Sequence, residues 1–306
     1  MNKQTKIAYL NRRKANVKEL ESAVKLLECQ IKNCIISIGF SANADEKIEL
    51  ESSLKTYTNL LSGAVIVWCE ALIKSLIYEY NAFEDAQINE LLSGEKSLEQ
   101  KWTLALNCAF YKSFSGMSYN ASSPVPNKSL IINLNTIAQS DKDKYSILYE
   151  LIENRIAPSI KIRNKIQHGD WVYSFREAKF RKINNIRTLI KRPAYDRQST
   201  KDVNEENLLT LKLKRNQFRV IYGLIKYLAV FKRYGQYRGD SNSTPFQSNF
   251  SEKLNQVFSN QGLLEISNFE RYRDDLVASR IRGKEWKRKN STCLAKIKRY
   301  VYRIKN

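Results

Sequence analysis

The sequence predicts an all-α protein, a bundle of about four to six helices followed by a smaller basic helical segment. Three observations carry that prediction. Apolar residues recur at helical spacing along most of the chain. Only 10 Gly and 5 Pro occur in 306 residues, too few breaks for a turn-rich β protein. Hydrophobic residues make up 42% and aromatics 11%, enough for a sizeable core and too many for wholesale disorder.

The elements follow in order. Ile7, Leu10, Val17, Leu20, Val24, Leu27, Ile31 and Ile38 form the apolar stripe of one long helix over residues 4–39. Residues 40–44 break it. A second helix opens in the acidic turn Asp45, Glu46 and Glu49, whose charge complements the helix dipole, and runs to about Tyr80. Short helices follow near 84–93 and 97–112, the latter opened by Ser97-x-x-Gln100, a capping-box pattern. Residues 113–135 lose the period and hold Pro124 and Pro126, which predicts a long loop. Helical spacing resumes at Asp141 with Tyr145, Leu148, Leu151 and Ile152. Pro158 should kink that helix or start a new segment, because proline has no N–H for the carbonyl four residues back. The new segment runs from Ile160 to about His168, with Gly169 as a C-terminal cap, and a further helix covers about 204–234. Residues 235–248 have linker composition, and helical segments are expected near 249–259, 267–289 and 291–304. The predicted division is therefore a helical domain over 1–240 and a linker with a basic helical region over 241–306.

Composition also excludes several chemistries. There is one histidine, so a multi-histidine metal site within one chain is ruled out, and imidazole chemistry falls to His168. The five cysteines (Cys29, Cys34, Cys69, Cys108 and Cys293) are odd in number and lack CxxC spacing, which speaks against a disulfide or zinc framework. Cys69 and Cys108 lie in apolar runs and read as core thiols. No Gly-rich phosphate loop, GxSxG or HExxH motif occurs, and no paired carboxylates suggest a metal; the expectation is no metal and no cofactor. The N-terminus has no apolar signal core. The longest apolar stretch, Ala64 to Tyr78, is interrupted by Glu70 and Lys74 and is too short to span a bilayer. A cytoplasmic protein with no membrane partner is expected.

Charge points to a partner. With 52 Lys+Arg against 31 Asp+Glu the chain carries +21. The excess concentrates in residues 155–200 and 271–306. Lys/Arg clusters of this density suit a polyanion, since each phosphate contact releases condensed counterions. The bland alternative is a solvated lysine-rich surface. From residue 271 onward Arg271, Arg273, Arg280, Arg282, Lys284, Lys287, Arg288 and Lys289 are interleaved with Tyr272, Trp286 and Tyr300, a pattern suited to RNA phosphates and stacked bases.

The candidate catalytic segment is Arg163-Asn164-Lys165-Ile166-Gln167-His168-Gly169. On a helix Asn164 and His168 share a face, while Arg163 stands about 140° from His168 and reaches round with a long side chain. Cleavage of RNA through the ribose 2′-OH needs a base, an acid for the 5′-oxygen and positive charge on the phosphorane. His168 suits base or acid, Arg163 suits the phosphate, and Asn164 suits orienting the imidazole or holding a phosphate oxygen. A lone histidine at a helix C-terminus is also a common dipole partner, and Arg and Lys nearby a common solvated face.

The stretch IAPSIKIRNKIQHGDWVYSF resembles the signature segment of the HEPN superfamily (higher eukaryote and prokaryote nucleotide-binding), in which Arg precedes His by four to six intervening residues, commonly with a polar residue directly after the Arg. Arg163, Asn164 and His168 match it with four residues between, and HGDWVY is similar to the HG-x-W ending of prokaryotic members. LLSGAVIVWCEALIKSLIYEYNAF and SLEQKWTLALNCAFYKSF resemble the preceding helices of bacterial and plasmid-borne members of phage-defence and toxin systems. The likeness covers about residues 50–235. It implies a HEPN-like helical bundle, a homodimer whose two Arg-x4-His motifs face each other, and a metal-independent endoribonuclease cutting cellular RNA as a toxin or anti-phage effector, with an antitoxin or defence-system partner. Members without catalysis serve as RNA-binding or scaffold modules.

One histidine does not readily act as both acid and base. The second group is either the partner chain's copy of the histidine or another residue, such as Tyr173 or Lys165; a symmetric dimer supplies the first at little cost in sequence. Glu70 interrupts an apolar helix and reads equally as part of the same cleft, as in some similar proteins, or as a partly buried salt bridge to a basic helix. Trp171 and Tyr173 suit base stacking or core packing, whereas Trp68, Trp102 and Phe110 belong to apolar stripes of the core.

Overall fold

The computed structural model describes residues 3–80, 82–94, 96–114, 125–167, strand segments between 175 and 195, 198, 201, 205–231, 250, 252–253 and 269–284. The fold is all-α, as predicted, with a core contributed by helices and the turns joining them. Helix α1 (Lys3–Phe40) and α2 (Ala44–Leu76) form a long antiparallel hairpin, and the predicted break falls at residues 41–43. Asn43 caps α2 by accepting a 2.8 Å hydrogen bond from the Asp45 N–H, and Asp45 and Glu46 stand in its first turn.

Helices α3 (Asp85–Leu92) and α4 (Leu98–Phe114) follow. The predicted capping box is present: the Ser97 N–H donates to Gln100 Oε1 at 2.8 Å, and the Gln100 N–H donates to Ser97 Oγ at 3.2 Å. A second box, Glu84 with Gln87, opens α3. Trp102 and Phe110 of α4 and Trp68 of α2 are fully buried, as their stripes predict. Within the stretch read as a loop, residues 128–133 instead form a short helix, α5 (Lys128–Asn133), capped by Asn127. The predicted helix at 141 is α6 (Gln139–Leu151). Tyr145 of α6 donates to Asn107 Oδ1 at 2.7 Å, and Asn107 Nδ2 donates to the Pro126 carbonyl at 3.1 Å, fixing the chain's return into α5.

The expected effect of Pro158 takes a definite form. A π-turn occupies Ile152–Ile156, with the Ala157 N–H bonding back to the Ile152 carbonyl, and α7 (Ala157–Gln167) continues from it. The wide turn takes up the helix just before a residue that cannot donate, as π-bulges and prolines do elsewhere. Ser159 Oγ then donates to the Arg155 carbonyl at 2.8 Å.

Between α7 and the next helix the chain forms a β-ribbon that helical periodicity does not announce. Strands β1 (Phe175–Arg176), β2 (Lys179–Ile183), β3 (Ile186–Lys191) and β4 (Ala194–Tyr195) pair antiparallel as two two-stranded sheets, β2 with β3 and β1 with β4. Ile183 pairs with Ile186 and Phe180 with Leu189, and the register shifts by one between Lys179 and Phe180. Asn184-Asn185 between two β-forming runs is the available sequence signal for such a hairpin.

Helix α8 (Leu208–Lys226) is capped by Asn207 in a box with Thr210 and ends in a π-turn at Tyr227–Phe231. Lys112 Nζ donates to the Ala229 and Ala82 carbonyls, and Ser113 Oγ donates to the Leu228 carbonyl, joining the end of α4 to that turn. A helix over 269–284 packs Phe269, Tyr272 and Leu276 against the core. It passes so close to α1 that a Cβ on Gly39 would stand 2.5 Å from Val277 Cγ2. The predicted helix at 291–304 lies outside the described residues.

One described helix, α2, is long and apolar enough to cross a membrane, and 67% of its most apolar window is buried within the protein. Its apolarity is accounted for by its place at the centre of the bundle.

Candidate functional site

Helix α7 carries the Arg-Asn segment and packs against α2. Arg163 points inward: its side chain is 16% exposed, and Nη2 lies 3.5 Å from Glu70 Oε2. Glu70 Oε1 in turn receives Lys74 Nζ at 2.5 Å, one turn along α2. Arg163, Glu70 and Lys74 therefore form a row of alternating charge across the α2–α7 interface. Of the two readings open for Glu70, the salt bridge to a basic helix is realised, and the partner is the arginine of the motif itself.

Asn164, one residue and about 100° further round the helix, is exposed, while Lys165 is half-buried. Arg163 and Asn164 thus face different surroundings, one against α2 and one toward solvent. His168, Trp171 and Tyr173 lie outside the described residues, so the geometry from Asn164 to the imidazole is not described.

Cys69, next to Glu70, is fully buried, and burial pushes its thiol well above the ordinary range; Trp102, Glu70 and Arg163 act on it more weakly. Burial likewise pushes the Cys108 thiol up to about 12. Both remain protonated near neutral pH and serve as packing groups, as their apolar runs predict. Cys34 is buried as well, Cys29 is exposed, and all four are free thiols.

The basic residues expected to meet RNA differ in their surroundings. Arg271, Arg280, Arg282 and Lys284 are exposed on the 269–284 helix. Arg273 instead pairs with Glu51 of α2 and with Glu270, and Lys284 Nζ stands 4.6 Å from the centre of the Phe40 ring. Arg273 also lines a cavity of about 510 Å³ with Leu54, Asn59, Asn207 and Phe269. Lys287, Arg288 and Lys289 lie outside the described residues. Sequence reasoning missed Lys74, whose link to the site depends on Arg163 and Glu70 meeting in three dimensions, and it missed the basic β-ribbon that follows α7.

Among the described residues no three of His, Cys, Asp and Glu come together as a metal-binding group. Compared with models of protein families, with curated proteins and with solved structures, the chain matches none of them.

Proposed function

We propose that the chain is a metal-independent, HEPN-type endoribonuclease that cuts cellular RNA, working as a homodimer in the cytoplasm as a toxin or anti-phage effector, with an antitoxin or defence-system partner. The observation that carries this reading is Arg163, the first residue of Arg163-Asn164-x3-His168, anchored on α7 by a carboxylate from α2. A guanidinium held at one end has a fixed direction, which is what charge stabilisation of a phosphorane requires.

In this reading an imidazole takes the proton of a ribose 2′-OH as O2′ bonds to phosphorus. The P–O5′ bond breaks, and O5′ receives a proton from the second acid. A 2′,3′-cyclic phosphate and a free 5′-OH result. His168 of one protomer is the base and the same residue of its partner the acid. Arg163 neutralises the equatorial oxygens, and Asn164, exposed beside it, holds a phosphate oxygen or the imidazole. Incubation of purified protein with RNA in EDTA tests the assignment, with His168→Ala and Arg163→Ala expected to abolish cleavage.

The ion pair also favours a second reading. A guanidinium already engaged by Glu70 is less available to phosphate, which suits a non-catalytic HEPN RNA-binding or scaffold module. RNA bound intact and equally well by the wild type and His168→Ala supports that alternative.

A further inference from the structure

We propose that the β-ribbon 175–195 is an RNA-binding arm that grips the phosphate backbone without reading sequence. The proposal rests on the ribonuclease reading, from which it takes RNA as the ligand.

Residues 175–195 hold seven Lys/Arg (Arg176, Lys179, Arg181, Lys182, Arg187, Lys191 and Arg192) and a single acid, Glu177. The pairing register sets these charges against one another. Lys182 is directly opposite Arg187, and Lys179 is directly opposite Lys191. Like charges at facing positions destabilise a strand pair, and a two-stranded ribbon is marginally stable at best in water. Lysines on edge strands guard against aggregation, but that protection does not call for like charges face to face. A polyanion lying along the ribbon turns the repulsion into attraction, since phosphates placed between facing cations neutralise both.

Position supports the same conclusion. Seven residues, and so eight residue-to-residue steps, separate Gln167, the end of α7, from Phe175, so the start of the first strand lies within about 28 Å of the end of the Arg163 helix even at full extension. RNA held by the arm therefore passes within a few nucleotides of that helix. Arg273, by contrast, is engaged by Glu51 and Glu270, which shifts part of the binding role from the C-terminal helix to the ribbon.

The test uses the full chain and an unstructured 2′-O-methyl RNA, which cannot be cut through its 2′-oxygen. Binding is followed by fluorescence anisotropy over a salt series. Each phosphate contact to a single strand contributes about 0.7 to the log–log salt slope, so replacing Lys179, Lys182, Arg187 and Lys191 by Thr should flatten the slope by about 3. The melting temperature should stay level or rise, because both facing like-charge pairs are gone. Lys182→Glu alone, which creates an opposite-charge pair with Arg187, should weaken RNA binding while steadying the fold. A wild type that binds with a steep slope and a fourfold variant that keeps it removes the arm alone. Weaker binding that comes with a lower melting temperature in both variants also overturns it, as a structural role. A wild type that binds no RNA removes the ribonuclease reading and the arm together.

Discussion

Arg163 of α7 and Glu70 of α2 form an ion pair across the interface of the two helices, Nη2 to Oε2 at 3.5 Å, with the arginine side chain 16% exposed. In the proposed ribonuclease the pair would make Glu70 a positioning residue for the guanidinium rather than a group that acts on RNA itself. Glu70→Gln keeps the shape and removes the charge, and should lower the cleavage rate on the order of tenfold to a hundredfold, the scale of a slightly misplaced catalytic group. The loss should fall on kcat more than on KM, and Arg163→Lys should restore little, because an ammonium lacks the planar fork. Initial rates on a fluorogenic RNA check both.

The legibility of this site differed residue by residue. Arg163-Asn164-x3-His168 is a short local pattern in the sequence, marked out by the segment around it rather than by its spacing alone, and His168 lies outside the described residues. Glu70 stood out because a carboxylate interrupts an apolar helix, yet only packing of α2 against α7 decides its partner. The helices themselves were well marked, since their stripes, the Ser97–Gln100 box and the break near residue 41 are local signals that tertiary contacts do not override. The ribbon escaped notice because its strands are short and a charge-rich hairpin lacks a clean alternation of apolar and polar residues. Asn184-Asn185 was the one cue.

Gly39 and Val277 fix how closely the 269–284 helix approaches α1. A Cβ at position 39 would meet Val277 Cγ2 at 2.5 Å, on a branched side chain that cannot swing aside easily. Gly39→Ala should destabilise the protein by about 1–3 kcal/mol through overpacking, despite the better helix propensity of alanine. Val277→Ala in the same chain should recover most of that loss. A double-mutant cycle by urea denaturation reads the coupling directly.

The buried chain Tyr145–Asn107–Pro126 ties α6, α4 and the start of α5 together. Tyr145→Phe leaves Asn107 Oδ1 without its 2.7 Å donor while barely changing the packing. The expected cost is about 1–3 kcal/mol, the desolvation penalty of one orphaned buried acceptor. Asn107→Ala combined with Tyr145→Phe should add less than Asn107→Ala costs alone, because the two groups act as one unit. Urea midpoints of the two single variants and the double variant measure the difference.

Glu79 links stability to pH. Burial pushes its carboxyl up, but hydrogen bonds and charge from Lys226 at 2.6 Å and Lys14 at 3.2 Å outweigh it and hold the carboxyl below the ordinary range. The contribution is therefore present above the unfolded carboxyl pKa of about 4.3 and is lost as pH falls through the lower folded value. Burial pushes Lys226 down, yet Glu79 and Tyr222 raise it overall, so its share persists at neutral pH and fades only as strongly alkaline pH passes the folded value. Glu79→Gln should cost about 1 kcal/mol near pH 7, a modest figure because solvent reaches Lys14 and Lys226. Near pH 3 the gap between variant and wild type should narrow, and urea midpoints at the two pH values measure it.

The most direct test of the proposed chemistry is RNA cleavage in excess EDTA by the purified wild type, His168→Ala and Arg163→Ala, with the product ends analysed. Wild-type cleavage leaving 2′,3′-cyclic phosphate and 5′-OH ends, with both variants inactive but still binding RNA, is the expected result. Cleavage that persists in His168→Ala, or RNA left intact by a wild type that binds it, contradicts the assignment of His168 and Arg163 as the catalytic pair.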